Sequence, residues 1–144
     1  MRPRDEVKRQ IVAEWLRKAQ ADLAVADRLV SEEAVFANAV AFHCQQAAEK
    51  FLKAFLVWAE IDFPKTHDLK ELLTLASRVD EQLASHLRAT TSLTPYGVDL
   101  RYPGDRMDAS PAEAREAVRL AQMVRDAVLT LLPMSACGNE DTAG

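Results

Sequence analysis

The sequence predicts an all-α protein, an up-down four-helix bundle with an additional short helix. Three observations predict it. Apolar residues recur at three- and four-residue intervals through most of the chain. Alanine, leucine and valine are abundant while only four of 144 residues are glycine, a bias toward helix over Gly-punctuated turns. Capping residues and prolines fall where the periodic segments begin and end. No segment reads as a strand.

Between Asp5 and Val30 the residues Val12, Leu16, Ala19, Leu23, Ala26 and Val30 form one stripe, widened by Trp15 and Leu29, which predicts a first amphipathic helix ending near Ser31. A second helix is expected from Ala34 to Ala59. Val40, Cys44, Ala47, Ala48, Phe51, Phe55 and Trp58 share its inward arc, while Asn38, Gln45, Gln46, Glu49, Lys50 and Lys53 share the outward one. Pro64 bars its predecessor from continuing that helix. Asp68, with Glu71 three residues on, predicts a reciprocal cap for a short third helix with Leu69, Leu72, Leu73, Leu75 and Ala76 inward. Another short helix is expected over Glu81–Thr90 with Leu83 and Leu87 inward. Two prolines and two glycines between Thr94 and Asp105 predict a loop. Ser110, Pro111 and Glu113 open a last long helix, with Ala114, Ala117, Ala121, Val124, Val128 and Leu131 inward, and Pro133 closes it. The bundle is thus expected over residues 5–132, with a flexible tail over 133–144.

Composition removes several function classes. The chain has the size of one domain, and its formal charge of −4 disfavours a surface that grips nucleic acid through bulk positive charge. Two cysteines, Cys44 in an apolar pattern and Cys137 in a polar stretch, predict no disulfide and fit a reducing cytoplasm. No signal-peptide run and no stretch near the roughly 20 apolar residues of a membrane span are seen. The glycines fit no phosphate-binding fingerprint, and three histidines and two distant cysteines give no zinc spacing, so neither cofactor nor metal is expected.

The polar residues of interest fall in three places. His43, Gln46, Lys50 and Lys53 occupy neighbouring azimuths on the second helix, which is either a solvated face or one wall of a groove. His67 stands before a helix start, where it either caps locally or meets a phosphate at the positive helix end. Arg101 and Tyr102 set a guanidinium beside a ring, suited either to a phosphate and a base or to anchoring the loop. A groove joining Lys50, Lys53, His67 and Arg101 is the expected site for any anionic ligand.

These residues stand in blocks that resemble a known family. Trp15-Leu16-Arg17-Lys18-Ala19, Asp22-Leu23, the run from Ala41 to Ala54 (AFHCQQAAEKFLKA), Thr66-His67-Asp68-Leu69 and Arg101-Tyr102-Pro103 follow in the order and at the separations of the HEPN domain, covering Glu14 to Leu132. The resemblance implies a HEPN helical bundle, a homodimer, a nucleotide-binding role and a minimal nucleotidyltransferase partner in a toxin-antitoxin-like pair. Some members are metal-independent ribonucleases that use an Arg followed after about four to six residues by a His on the last long helix. The corresponding helix here carries Arg115, Arg119 and Arg125 but no histidine, and Arg78 and His86 are too widely spaced to replace the pair. The resemblance therefore implies a binding module for a nucleotide or RNA. The alternatives are a divergent ribonuclease toxin with His43 or His67 as proton carrier and Arg101 holding phosphate, or a dimerising scaffold without a ligand.

Overall fold

In the computed structural model, which describes residues 3–97 and 108–133, five α-helices and two 3-10 helices form the bundle, with no strand among the described residues. Helix α1 runs Pro3–Leu29, and a 3-10 turn at Ala34–Phe36 leads into α2, Ala37–Trp58. Two short helices follow, α3 at Leu69–Ala76 and α4 at Glu81–His86, then a 3-10 helix at Arg88–Gly97 and finally α5 at Pro111–Leu131.

Side-chain contacts fix the directions. Arg4 and Lys8 at the start of α1 reach Glu60 just past the end of α2, so these two helices are antiparallel. Asn38 at the start of α2 bonds Asp108 and the Ala109 backbone, so α5 begins beside the start of α2. The two short helices and the 3-10 helix therefore carry the chain back along the bundle between them.

The first stripe packs as its spacing predicts, with Val12, Leu16, Ala19, Leu23 and Ala26 all buried. Helix α2 packs against α1, α3, α5 and the second 3-10 helix. That central position corrects the two-sided wheel read from the sequence. Gln45, Glu49 and Lys53, expected on the outward arc, are buried at 0, 3 and 6% exposure, because neighbours cover α2 on nearly every side. Leu56 is also fully buried in the chain's own core.

Local chemistry explains the other differences. The Glu71 half of the expected cap on α3 is replaced: Asp68 accepts from the Lys70 amide at 3.0 Å, while the Asp68 amide is already satisfied by Thr66 Oγ1 at 3.1 Å. The expected helix over Glu81–Thr90 is shorter and is followed by 3-10 structure reaching through Thr94–Gly97, part of the expected loop. There the Thr90, Thr91 and Ser92 hydroxyls donate to carbonyls three residues back, which suits the tighter winding. The α5 start forms the full capping box, with Ser110 and Glu113 each bonding the other's amide. At its end Leu131 is 41% exposed and Leu132 is buried instead, since Leu132 leaves helical geometry and turns inward. Among the described residues no helix is long and apolar enough to cross a membrane. The expected tail from Met134 lies outside the described residues.

Candidate functional site

Spacing along α2 creates two polar clusters. Gln45, Glu49 and Lys53 follow at four-residue steps and stack along one line of the helix, while His43, Gln46 and Lys50 lie on an adjacent line. Each line organises around one carboxylate, and neither carboxylate was singled out from the sequence.

Glu49 holds the deeper cluster. Its Oε2 accepts from Lys53 Nζ at 2.7 Å, and its Oε1 accepts from Gln45 Nε2 at 3.2 Å and from His67 Nδ1 at 2.9 Å. An ionised carboxylate can only accept, so His67 donates from a proton on Nδ1. The ring is 69% exposed although its partner is buried. Gln45 also donates to the His67 carbonyl at 3.0 Å and accepts from Gln46 Nε2 at 2.7 Å, which fixes the orientation of its amide. Nothing polar in this buried ladder lacks a partner, as a low-dielectric interior requires. The Lys53 ammonium is further enclosed by the faces of Trp15 and Phe63, at 5.4 and 5.7 Å from the ring centroids, where ring quadrupoles favour a cation.

Asp22 of α1 holds the shallower cluster. Its two oxygens meet His43 Nδ1 at 2.8 Å and Lys50 Nζ at 2.6 Å, tying α1 to α2. Exposure is 14% for the Asp22 side chain, 22% for Lys50 and 30% for His43. Behind His43, on the next azimuth, Cys44 is buried, and burial with the nearby Asp27 charge pushes its thiol up to about 12. His43 and Cys44 thus face different surroundings, as their helical offset requires.

The expected groove is therefore rearranged. The structure joins Lys53 and His67 through Glu49 but turns Lys50 with His43 toward α1. Gln46 bridges the two lines through Gln45. His67 neither caps α3 nor bonds a local backbone group with its ring; it reaches across to α2. Arg101 and Tyr102 lie outside the described residues. The chain approaches them from Gly97, which presses so closely on Gln45 that an added Cβ would meet its side chain at 2.9 Å. A larger residue there would have to displace the Gln45 amide from its hydrogen bonds. Among the described residues no group of three or more His, Cys, Asp or Glu side chains could hold a metal ion.

Sequence reasoning missed Asp22, Gln45 and Glu49. The four-residue spacing of Gln45, Glu49 and Lys53 was a signal for the second and third; nothing local in the sequence pairs Asp22 with a histidine 21 residues away.

The model of the HEPN domain family matches residues 12–131. The fold is similar to the crystal structure of TT1696 from Thermus thermophilus, with a TM-score of 0.66 and 25% sequence identity over 84% of this chain and 98% of that one. No curated protein matches the chain.

Proposed function

The chain belongs to the HEPN domain family, and from that premise we propose that it is a cytoplasmic binding module that acts with a minimal nucleotidyltransferase and contributes contacts to a nucleotide or nucleic-acid substrate. The observation that carries this reading is the pairing on the polar side of α2, where both lysines are neutralised by carboxylates of the same chain. A face so arranged is suited to directional hydrogen bonding through His43, Gln46 and His67 rather than to gripping phosphate. Lys50 and Lys53 then serve the module by holding Asp22 and Glu49. Arg101 and Tyr102 enter the reading through the family resemblance alone. The lack of a histidine on α5 agrees with a module that does not use the family's Arg-to-His cleavage pair.

The neighbouring open reading frame provides the test. A minimal nucleotidyltransferase encoded there should co-elute with the chain, and a double substitution of His43 and His67 to Ala should weaken the complex. A solitary gene, or a nucleotidyltransferase that elutes separately, would sink the partner reading. Homodimerisation belongs to the same proposal and is checked by light scattering at micromolar concentration, where a strictly monomeric mass removes it.

A second reading is favoured by His67, whose exposed ring is oriented by a buried carboxylate in the manner of a general base. That reading is a divergent ribonuclease. Incubating the nuclease-free chain with mixed cellular RNA in chelator separates the two: the binding module leaves RNA intact, whereas cleavage abolished by His67→Ala establishes the enzyme.

A further inference from the structure

Away from α2, a cleft of about 690 Å³ opens between α3, α4 and the second 3-10 helix, within the size range of small-molecule sites. Lys70 stands on its α3 wall and Arg88 on its 3-10 wall. Unlike the lysines of α2, neither has an ion-pair partner among the described residues, and neither does Glu81, which lines the same cleft from α4. Two cations and one carboxylate leave this cleft locally positive on a chain whose formal charge is −4.

The hydroxyls specify the remainder of the ligand. Thr74, Ser77 and Thr91 each donate their proton to a backbone carbonyl, at 2.9, 2.6 and 2.9 Å, so what they offer to the cleft is lone pairs. Those oxygens and Glu81 therefore ask for donors, while Lys70 and Arg88 ask for an anion. Leu73 and Ala84 supply apolar surface. Cations on two different walls suit a tetrahedral group that shows oxygens in several directions, and a guanidinium can hold two of them at once.

We propose that the cleft between α3, α4 and the Arg88–Gly97 helix binds a small phosphate monoester whose body carries hydroxyl or amino donors, with Lys70 and Arg88 on the phosphate and Glu81 with the threonine and serine oxygens on the body. No α2 residue lines this cleft. Sugar phosphates and mononucleotides share the required chemistry, and the choice of probe distinguishes them.

Calorimetric titration of the full chain with ribose 5-phosphate, adenosine 5′-monophosphate and adenosine tests the assignment. At least one phosphate-bearing probe should bind and adenosine should not, and the tighter phosphate names the body that the cleft prefers. Lys70→Ala and Arg88→Ala should each weaken binding by about tenfold or more. Arg115→Ala, at an exposed α5 residue that does not line the cleft, should leave affinity unchanged. Ser85→Trp, which fills the cleft without altering charge, should abolish binding while the melting temperature stays near that of the wild type. Binding of none of the probes at millimolar concentration, adenosine binding as tightly as its monophosphate, or equal weakening by Arg115→Ala would overturn the site.

Discussion

The Glu49 and Asp22 clusters use the same three groups, a carboxylate, a lysine and a histidine, yet they sit in different dielectrics. Glu49 and Lys53 are nearly sealed, with side-chain exposures of 4 and 8%, whereas Asp22 and Lys50 retain 14 and 22%. In the sealed cluster, removing either charge strands the other where water cannot reach it, so the pair is costly to break even though an apolar replacement of both would cost little. In the shallower cluster water can take over part of the lost partner's role. Identical chemistry therefore gives a rigid anchor on one line of α2 and a softer inter-helix tie on the next.

The largest effect is expected from Glu49→Gln, which should lower unfolding free energy by about 3–5 kcal/mol in urea titrations because Lys53 is left buried and uncompensated. A loss no larger than that of Asp22→Asn would make the two clusters equivalent. Next comes Gly97→Ala. Its Cβ would meet Gln45 at 2.9 Å, and that side chain is held by three hydrogen bonds, so a loss of about 1–3 kcal/mol is expected in the same titration. Asp22→Asn should cost about 1–2 kcal/mol, between the values of exposed and buried pairs.

Cys44 reports on the core behind both clusters. Its thiol has an ordinary value of 9.0 and is pushed up to about 12 by burial first and by Asp27 second. The folded chain therefore holds this proton more tightly than the unfolded chain. The sign follows: this contribution to stability is intact below about pH 9 and is lost as pH rises from there toward 12, because only the unfolded chain gains a thiolate. Denaturation midpoints at pH 8 and pH 10 should fall less in Cys44→Ala than in the wild type, and alkylation of Cys44 at pH 8 should be slow until denaturant is added. The smallest effect is expected at Glu116, whose carboxyl is held low by its hydrogen bond from Arg119 on the exposed face of α5. Glu116→Gln should leave the midpoint unchanged, since such pairs exchange solvent contacts for each other at little gain.

Much of the fold was legible because helical periodicity and capping are local. Val12 to Ala26 packed as their spacing required, and Ser110 with Glu113 marked the start of α5 to the residue. The short helices were less legible, because hydroxyls at Thr90, Thr91 and Ser92 tip the winding toward 3-10 geometry in a way that hydrophobic spacing does not record. The site was legible only as separate residues, not as clusters. His43, Lys50, Lys53 and His67 stood out as polar groups, but a helical wheel assigns polar residues to solvent, and that rule fails for a helix covered by neighbours on nearly every side. Asp22 and the Glu49–His67 bond arise from chain crossings that no local pattern encodes.

Glu60 ends α2 in the left-handed region, with φ of 60°, although it is not glycine. The Ile61 amide returns to the Leu56 carbonyl and the Glu60 amide to Val57, the bond pattern that closes a helix with such a residue. This conformation accompanies a carboxylate held by Lys8 and Arg4, whose hydrogen bonds and charges keep it below its usual range. The backbone strain is indifferent to ionic strength, but the attractions that offset it are exposed and are screened by added salt. Attachment of the first turns of α1 to the end of α2 thus depends on the electrolyte. Added salt is expected to weaken the Arg4 contact more than that of Lys8, which also bonds the Trp58 carbonyl and sits over the indole.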